Sequence, residues 1–287
     1  MKELVILSGK GGTGKTSITA SLASLAAPAM LADCDVDAAD LHLMLDPKVE
    51  KETDFWSGEV AHIDPLLCTS CGECIENCRF DAISHDYRVD RVSCEGCGVC
   101  QYVCPTDAVT MNRKVAGKWF VSSTDKGTLV HARLNIAEDN SGKLVTEVKK
   151  EARRLAGEEG RSLVIVDGPP GVGCPVISSL SGAGMVLVVT EPSVSGIHDL
   201  KRVLELARHF HVKPAVLINK YDINEEKTAE IEQFCRSEEV PVLGRIGFDP
   251  DFTRSQVEAV PLVEYSDGEA AGQIRKVWEE IRDRLEV

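Results

Sequence analysis

Two groups of residues in this 287-residue chain combine type and spacing in a way that can do chemistry. The first is Ser8-Gly9-Lys10-Gly11-Gly12-Thr13-Gly14-Lys15-Thr16-Ser17, which contains the pattern G-x-x-x-x-G-K-T. Glycines let backbone N–H groups curl round a phosphate with no Cβ in the way, and a helix starting there adds its partial positive charge. Lys15 can then reach the β- and γ-phosphates, and the Thr16 hydroxyl can ligate Mg²⁺. Contacts to a bound nucleotide are expected from Gly9, Lys10, Gly11, Gly12, Thr13, Gly14, Lys15, Thr16 and Ser17. The second group is cysteine, in two runs of the form C-x2-C-x2-C-x3-C: Cys68, Cys71, Cys74, Cys78 and then Cys94, Cys97, Cys100, Cys104, followed by Pro105.

Thiolates repeated in this way are the ligand pattern of two [4Fe–4S] clusters in bacterial ferredoxins, where the fourth cysteine of each run serves the other cluster. One cluster would take Cys68, Cys71, Cys74 and Cys104; the other would take Cys94, Cys97, Cys100 and Cys78. Zinc is the competing reading, but it favours two C-x2-C pairs across a longer spacer. Arg79 stands where the first run's closing proline would be. It leaves a backbone N–H and a positive charge near that cluster, and either would raise its potential.

Elements must hold these residues. Leu4-Val5-Ile6-Leu7 reads as a buried strand feeding the Gly-rich loop, and Ser17 to Ala27 as the helix after it. Ala29 to Asp35 reads as a second strand ending in carboxylates, at the strand end where open α/β sheets bind ligands. Leu163-Val164-Ile165-Val166-Asp167 is a buried strand ending in an aspartate placed to hold Mg²⁺, followed by Gly168-Pro169-Pro170-Gly171. Short strands are expected at 119–121 and 129–132, with His131 an ordinary sheet residue, and a helix runs on from Asn140-Ser141-Gly142. Strands at 185–190, 215–219 and 241–246 alternate with helical segments. The fold expected is α/β, a doubly wound and mostly parallel sheet, with a small α+β ferredoxin-like insert. The expected domains are 1–60 and 113–287 for the sheet and 61–112 for the insert.

The K-G-G-T-G-K-T string, with Lys10 directly after the first glycine, resembles the deviant P-loop of the MinD/Mrp superfamily of ATPases and of the nitrogenase iron protein. Asp33-Cys34-Asp35, the Gly168–Gly171 loop, the 141–145 string and Thr190 to Leu200 resemble the same group. The resemblance implies ATP and Mg²⁺ as ligands and a homodimer in which Lys10 reaches the partner's nucleotide. It implies Lys10, Lys15 and Asp35 as catalytic residues, Asp35 activating water, with Thr16, Asp35 and Asp167 serving the metal. It also implies Asn219 against adenine. Asn219-Lys220-Tyr221-Asp222 formally matches N-K-x-D, so Asp222 leaves GTP open. Cys174 falls near the position of a cluster-bridging cysteine in the nitrogenase iron protein, with no secure second one; Cys34 and Cys235 read as buried structural residues. The paired C-x2-C near the end of Mrp-type scaffolds is absent.

Composition bounds the function. A net charge of −14 argues against a nucleic-acid binder or an anionic-membrane binder. No signal-peptide pattern and no membrane-length apolar run is seen, and eight of eleven cysteines are in metal-type runs, so a cytoplasmic protein is expected. Ile274, Val277, Trp278, Ile281 and Leu285 recur at helical spacing between balanced charges, which favours a helix docked on its own core. The insert has three arginines against eight Asp and Glu, a formal −5, a face suited to a basic redox partner. The expected activity is ATP-dependent dimer rearrangement coupled to the clusters, for electron transfer or redox-linked partner control. The alternatives are an ATP-switched regulator with a redox-sensing module and an iron–sulfur carrier.

Overall fold

A computed structural model of the chain describes residues 1–136, 138 and 141–287; Asn140, where the expected helix begins, lies outside them. The chain divides into two units, the first of 1–52, 119–133 and 141–287, the second of 53–118 and 134–140.

In the first unit, β1 (Lys2–Ser8) is buried at every residue after Lys2 and runs into the Gly-rich loop. Helix α1 (Lys15–Leu25) follows, its N-cap Gly14 at φ 89°, a left-handed conformation that favours glycine. The first turn of α1 carries no carboxylate to compete with an anion. Next come β2 (Ala29–Asp33) and the short α2 (Leu41–Leu45). Strand β3 (Lys48–Ile63) then leads out to the second unit, with its helices α3 (Glu73–Glu76) and α4 (Val99–Tyr102), and β4 (Val109–Thr124) leads back. The remainder alternates: β5 (Gly127–Leu134), α5 (Ser141–Glu158), β6 (Leu163–Pro170), α6 (Cys174–Leu180), β7 (Met185–Thr190), α7 (Val194–His209), β8 (Lys213–Asn219), α8 (Glu225–Ser237) and β9 (Val242–Ile246). Helices α9 (Asp251–Val257), α10 (Leu262–Tyr265) and α11 (Glu269–Leu285) close the chain.

The strand order is β3-β4-β5-β2-β6-β1-β7-β8-β9. The pairs β5/β2, β2/β6, β6/β1, β1/β7, β7/β8 and β8/β9 are all parallel. Parallel strands are buried on both faces and need helical crossovers, which explains their continuous apolar runs. One face packs Leu4 and Ile6 of β1 with Ile18 and Leu22 of α1 and with Ile274, Val277, Trp278, Ile281 and Leu285 of α11. The last helix is thus docked on the core, as its balanced charges suggested. Helices α5, α6 and α7 pack on β2, β6 and β7.

The second unit has a small core of Val60, Ala61, Ile63, Ala82, Ile83 and Val109 with Cys74 and Cys94; Cys68, Cys78, Cys100 and Cys104 pack against it. Its boundaries at 53 and 118 differ from the expected 61 and 112, which fall inside β3 and at the start of β4. The cysteine pattern, from Cys68 to Cys104, lies inside 61–112, but the two 16-residue strands that carry the chain out and back extend beyond it.

Candidate functional site

At the C-terminal end of the parallel sheet the register sets Asp33 of β2 beside Asp167 of β6. Lys15, 6 % exposed, places Nζ 2.9 Å from Asp167 Oδ2 and 3.5 Å from Asp35 Oδ2. Both Asp167 oxygens are engaged: the Thr16 hydroxyl donates to Oδ2 at 2.8 Å and the Thr19 hydroxyl to Oδ1 at 2.7 Å. Asp33 is fully buried and accepts the N–H groups of Asp35 and Leu41, which fixes the turn that carries Asp35.

The electrostatics of this cluster are lopsided. Burial pushes Lys15 down, but Asp167, Asp35 and Asp33 outweigh it and hold the ammonium above its ordinary value. Burial and the neighbouring Asp167 hold Asp33 well above the usual carboxylate range. Burial pushes Asp35 up to about 6, Lys15 pulling it down and Asp167 pushing it further up. Asp35, Asp167 and the Thr16 hydroxyl are the oxygen donors here that suit a divalent cation, whose charge would relieve the carboxylates. The loop fits a phosphate: a Cβ at Gly11 or Gly12 would meet nothing within 4 Å, and the buried Thr13 hydroxyl has no partner.

The loop is held from behind. Asn219 Nδ2 donates to the Thr13 carbonyl at 2.7 Å, and its Oδ1 accepts the Lys220 N–H at 3.0 Å. Lys220 Nζ donates to the Gly12 carbonyl at 3.0 Å, and Gln256 Nε2 donates to the Ser17 hydroxyl at 2.7 Å. Asp222 accepts the Phe248 N–H on Oδ1 at 2.7 Å. Gly9 is where α7 comes closest, since a Cβ there would lie 2.2 Å from Asp199 Cβ. Lys10 turns back on its own chain, with Nζ 2.6 Å from Glu191 Oε1, 3.0 Å from Ser195 Oγ and 3.3 Å from Ser193 Oγ. The structure therefore brings Lys10, Lys15, Thr16, Asp35, Asp167 and Asn219 around one loop. Sequence reasoning missed Thr19, Glu191, Lys220 and Gln256. Thr19 stood one helical turn beyond Lys15, where it could have been found; Lys220 and Glu191 stood inside strings already noted, N-K-x-D and Thr190 to Leu200, and Gln256 carries no motif.

The second unit repeats a local structure. Gly72 (φ 88°) and Gly98 (φ 74°) each open a single helical turn, α3 and α4, that carries Cys74 and Cys100, the third cysteine of each run. Matching bonds close both turns, from Glu76 N–H to the Gly72 carbonyl and from Tyr102 N–H to the Gly98 carbonyl, each 3.1 Å. Cys78 lines one pocket with Cys94, Cys97 and Cys100, the set that crossed ligation requires. Burial raises the Cys74 thiol, and Cys68 and Cys71 are close enough to raise it further. Burial also pushes Cys104 up, but the Thr106 N–H and hydroxyl and the N–H groups of Ala108 and Val109 outweigh it and lower the thiol. Such donors suit a thiolate. Among the described residues no three His, Cys, Asp or Glu side chains are grouped to hold a metal ion. Outside this unit, burial holds Cys34 far above the ordinary thiol value and pushes Cys235 up to about 11, so both are packing residues. Cys174 is exposed at the start of α6.

Comparison with known proteins places these features. The profile of the CobQ/CobB/MinD/ParA nucleotide binding domain matches residues 4–262. The uncharacterized protein MJ0578 of Methanocaldococcus jannaschii is 38 % identical over 225 residues, covering 77 % of this chain and 79 % of that one. MJ0579 of the same organism is 27 % identical over 259 residues, covering 79 % and 84 %. Among solved structures, the septum site-determining protein MinD of Pyrococcus horikoshii, complexed with Mg-ADP, superposes with a TM-score of 0.60 at 19 % identity, over 98 % of this chain and 95 % of that one. No helix among the described residues is long and apolar enough to cross a membrane.

Proposed function

Since the chain belongs to the CobQ/CobB/MinD/ParA nucleotide-binding family, we propose that it is a Mg²⁺-dependent ATPase whose nucleotide-driven dimer rearrangement is coupled to two [4Fe–4S] clusters in its second unit. The carrying observation is the pairing of Lys15, buried between Asp35 and Asp167, with a second unit in which Cys74 and Cys94 lie in the small apolar core and Cys68, Cys78, Cys100 and Cys104 pack against it. In this reading the loop N–H groups from Gly11 to Thr16 cradle the phosphates, and Lys15 meets charge building on the transferred group. Thr16 and Asp167 hold Mg²⁺, which when bound would neutralise phosphate charge. Asp35 orients the attacking water. Asn219, bonded to the Thr13 carbonyl and the Lys220 N–H, keeps the loop in shape beside the base that the family resemblance assigns to it, adenine. Cys68, Cys71, Cys74 and Cys104 hold one cluster and Cys94, Cys97, Cys100 and Cys78 the other; bound, the clusters supply one-electron chemistry.

The test is an anaerobic preparation carrying about eight iron atoms per chain, four per cluster, titrated electrochemically under EPR with and without MgATP. An ATP-dependent shift in potential supports coupled electron transfer. Identical traces would remove the coupling and leave a regulator. Lys15→Ala is expected to lose nucleotide affinity at least about 100-fold, because the phosphates lose their buried cation and Asp35 and Asp167 are left unpaired beside them; fluorescent-nucleotide titration reads it.

A further inference from the structure

The second unit also carries a cleft of opposite character. His62 of β3, Asn112 and Arg113 of β4, and Tyr87, Arg88 and Arg91 of the connecting loop line an open space of about 930 Å³. Among the described residues, none that lines it is Asp or Glu. Arg88 is partly answered by Asp86, Nε to Oδ2 at 3.0 Å. Arg113, among the described residues, reaches only the Trp56 carbonyl, from Nη2 at 3.4 Å. Among the described residues the Arg91 side chain has no hydrogen-bond or ion-pair partner.

Carboxylates are not scarce: the chain has 46 against 32 Lys and Arg, and 61–112 has eight against three arginines. Three arginines nevertheless line one cleft, and of these only Arg88 has a carboxylate partner among the described residues, Asp86. Like charges brought together repel, and the arrangement is relieved when an anion joins them. The guanidinium fork matches the oxygens of phosphate and carboxylate in pairs. We propose that this cleft binds a small oxyanion bearing phosphate or carboxylate oxygens, with Arg91 and Arg113 as the principal donors and Arg88, Asn112, His62 and Tyr87 completing the contacts. Net charge hid this site. Residues 61–112 carry a formal −5, which pointed to a basic partner, whereas Arg88 and Arg91 of that stretch meet Arg113 in one cleft.

The test uses the full chain with saturating MgADP, so that the Gly-rich loop is already filled. Calorimetric titration at low ionic strength with inorganic phosphate, and separately with succinate, is expected to give one site per chain. Arg91→Ala combined with Arg113→Ala should weaken it at least about tenfold, since charged hydrogen bonds are lost. Both side chains are exposed, so the double variant is expected to keep its circular dichroism. The Nε–H resonances of Arg91 and Arg113 in the unsubstituted protein should shift during the same titration. Tighter binding of phosphate or of succinate decides which oxygen chemistry the cleft takes. Binding of neither, binding equal in the double variant, or arginine resonances that stay still would overturn the proposal.

Discussion

The ammonium of Lys10 sits among three acceptors of its own chain, Glu191, Ser195 and Ser193, while Glu191 also takes Lys220 on its second oxygen at 3.3 Å. A lysine held in this way must leave Glu191 before it can reach a nucleotide in a second subunit. A partly exposed ion pair is worth about 1 kcal/mol. Glu191→Gln is therefore expected to lower the nucleotide concentration for half-dimerisation about fivefold in sedimentation, and an unchanged midpoint would mean that Glu191 does not restrain Lys10. His131 gives a pH prediction. It is buried on β5, stacked on Phe120 and His42 and 2.9 Å from the Ser122 hydroxyl, and burial, with His42 beside it, lowers it to about 4. Below pH 6.5 the unfolded chain takes up this proton and the folded chain does not, so stability drops by about 1.4 kcal/mol per pH unit, roughly 3 kcal/mol by pH 4. Urea titrations should show that drop, and His131→Phe should flatten it. Lys15, Thr16, Asp35 and Asp167 were legible because a motif fixes each; Glu191 was not, because its role comes from Lys10, far away in sequence.

Among the elements, the closest approach at the nucleotide loop is that of α7 to Gly9. Gly9→Ala would drive a Cβ to 2.2 Å from Asp199 Cβ and 3.0 Å from its backbone carbon, so the helix must move. Such overpacking costs about 1–3 kcal/mol, expected as a lowered urea midpoint together with weaker ATP binding, since α7 also carries Ser195 and follows Ser193, two of the acceptors of Lys10. A stability loss without a binding loss would separate α7 from the site. The parallel strands were legible because burial on both faces leaves apolar runs such as Leu163 to Val166. Strand β3 was not: Lys48 to Thr53 is charged and mostly exposed, with neither an apolar run nor a clean alternation to read.

The whole molecule carries −14, and the apolar stripe of α11 is spent on its own core. Sedimentation with vesicles of anionic lipid is accordingly expected to leave the protein in the supernatant, and pelleting would require α11 to undock. Composition gave that electrostatic average but not its distribution, since Arg88, Arg91 and Arg113 converge only when β3, β4 and the loop between them fold. The chain path also sets a timetable for synthesis. Strand β1 is made first, yet its neighbours are β6 and β7, so the central sheet cannot close until residue 190 has left the ribosome. The cysteine-bearing unit is finished by residue 140. At about 5–20 residues per second it has roughly 3–10 s as the one completed body on the nascent chain. If the unit takes the clusters proposed for it, iron and sulfide would reach its thiols while the nucleotide-binding half is still an open set of strands.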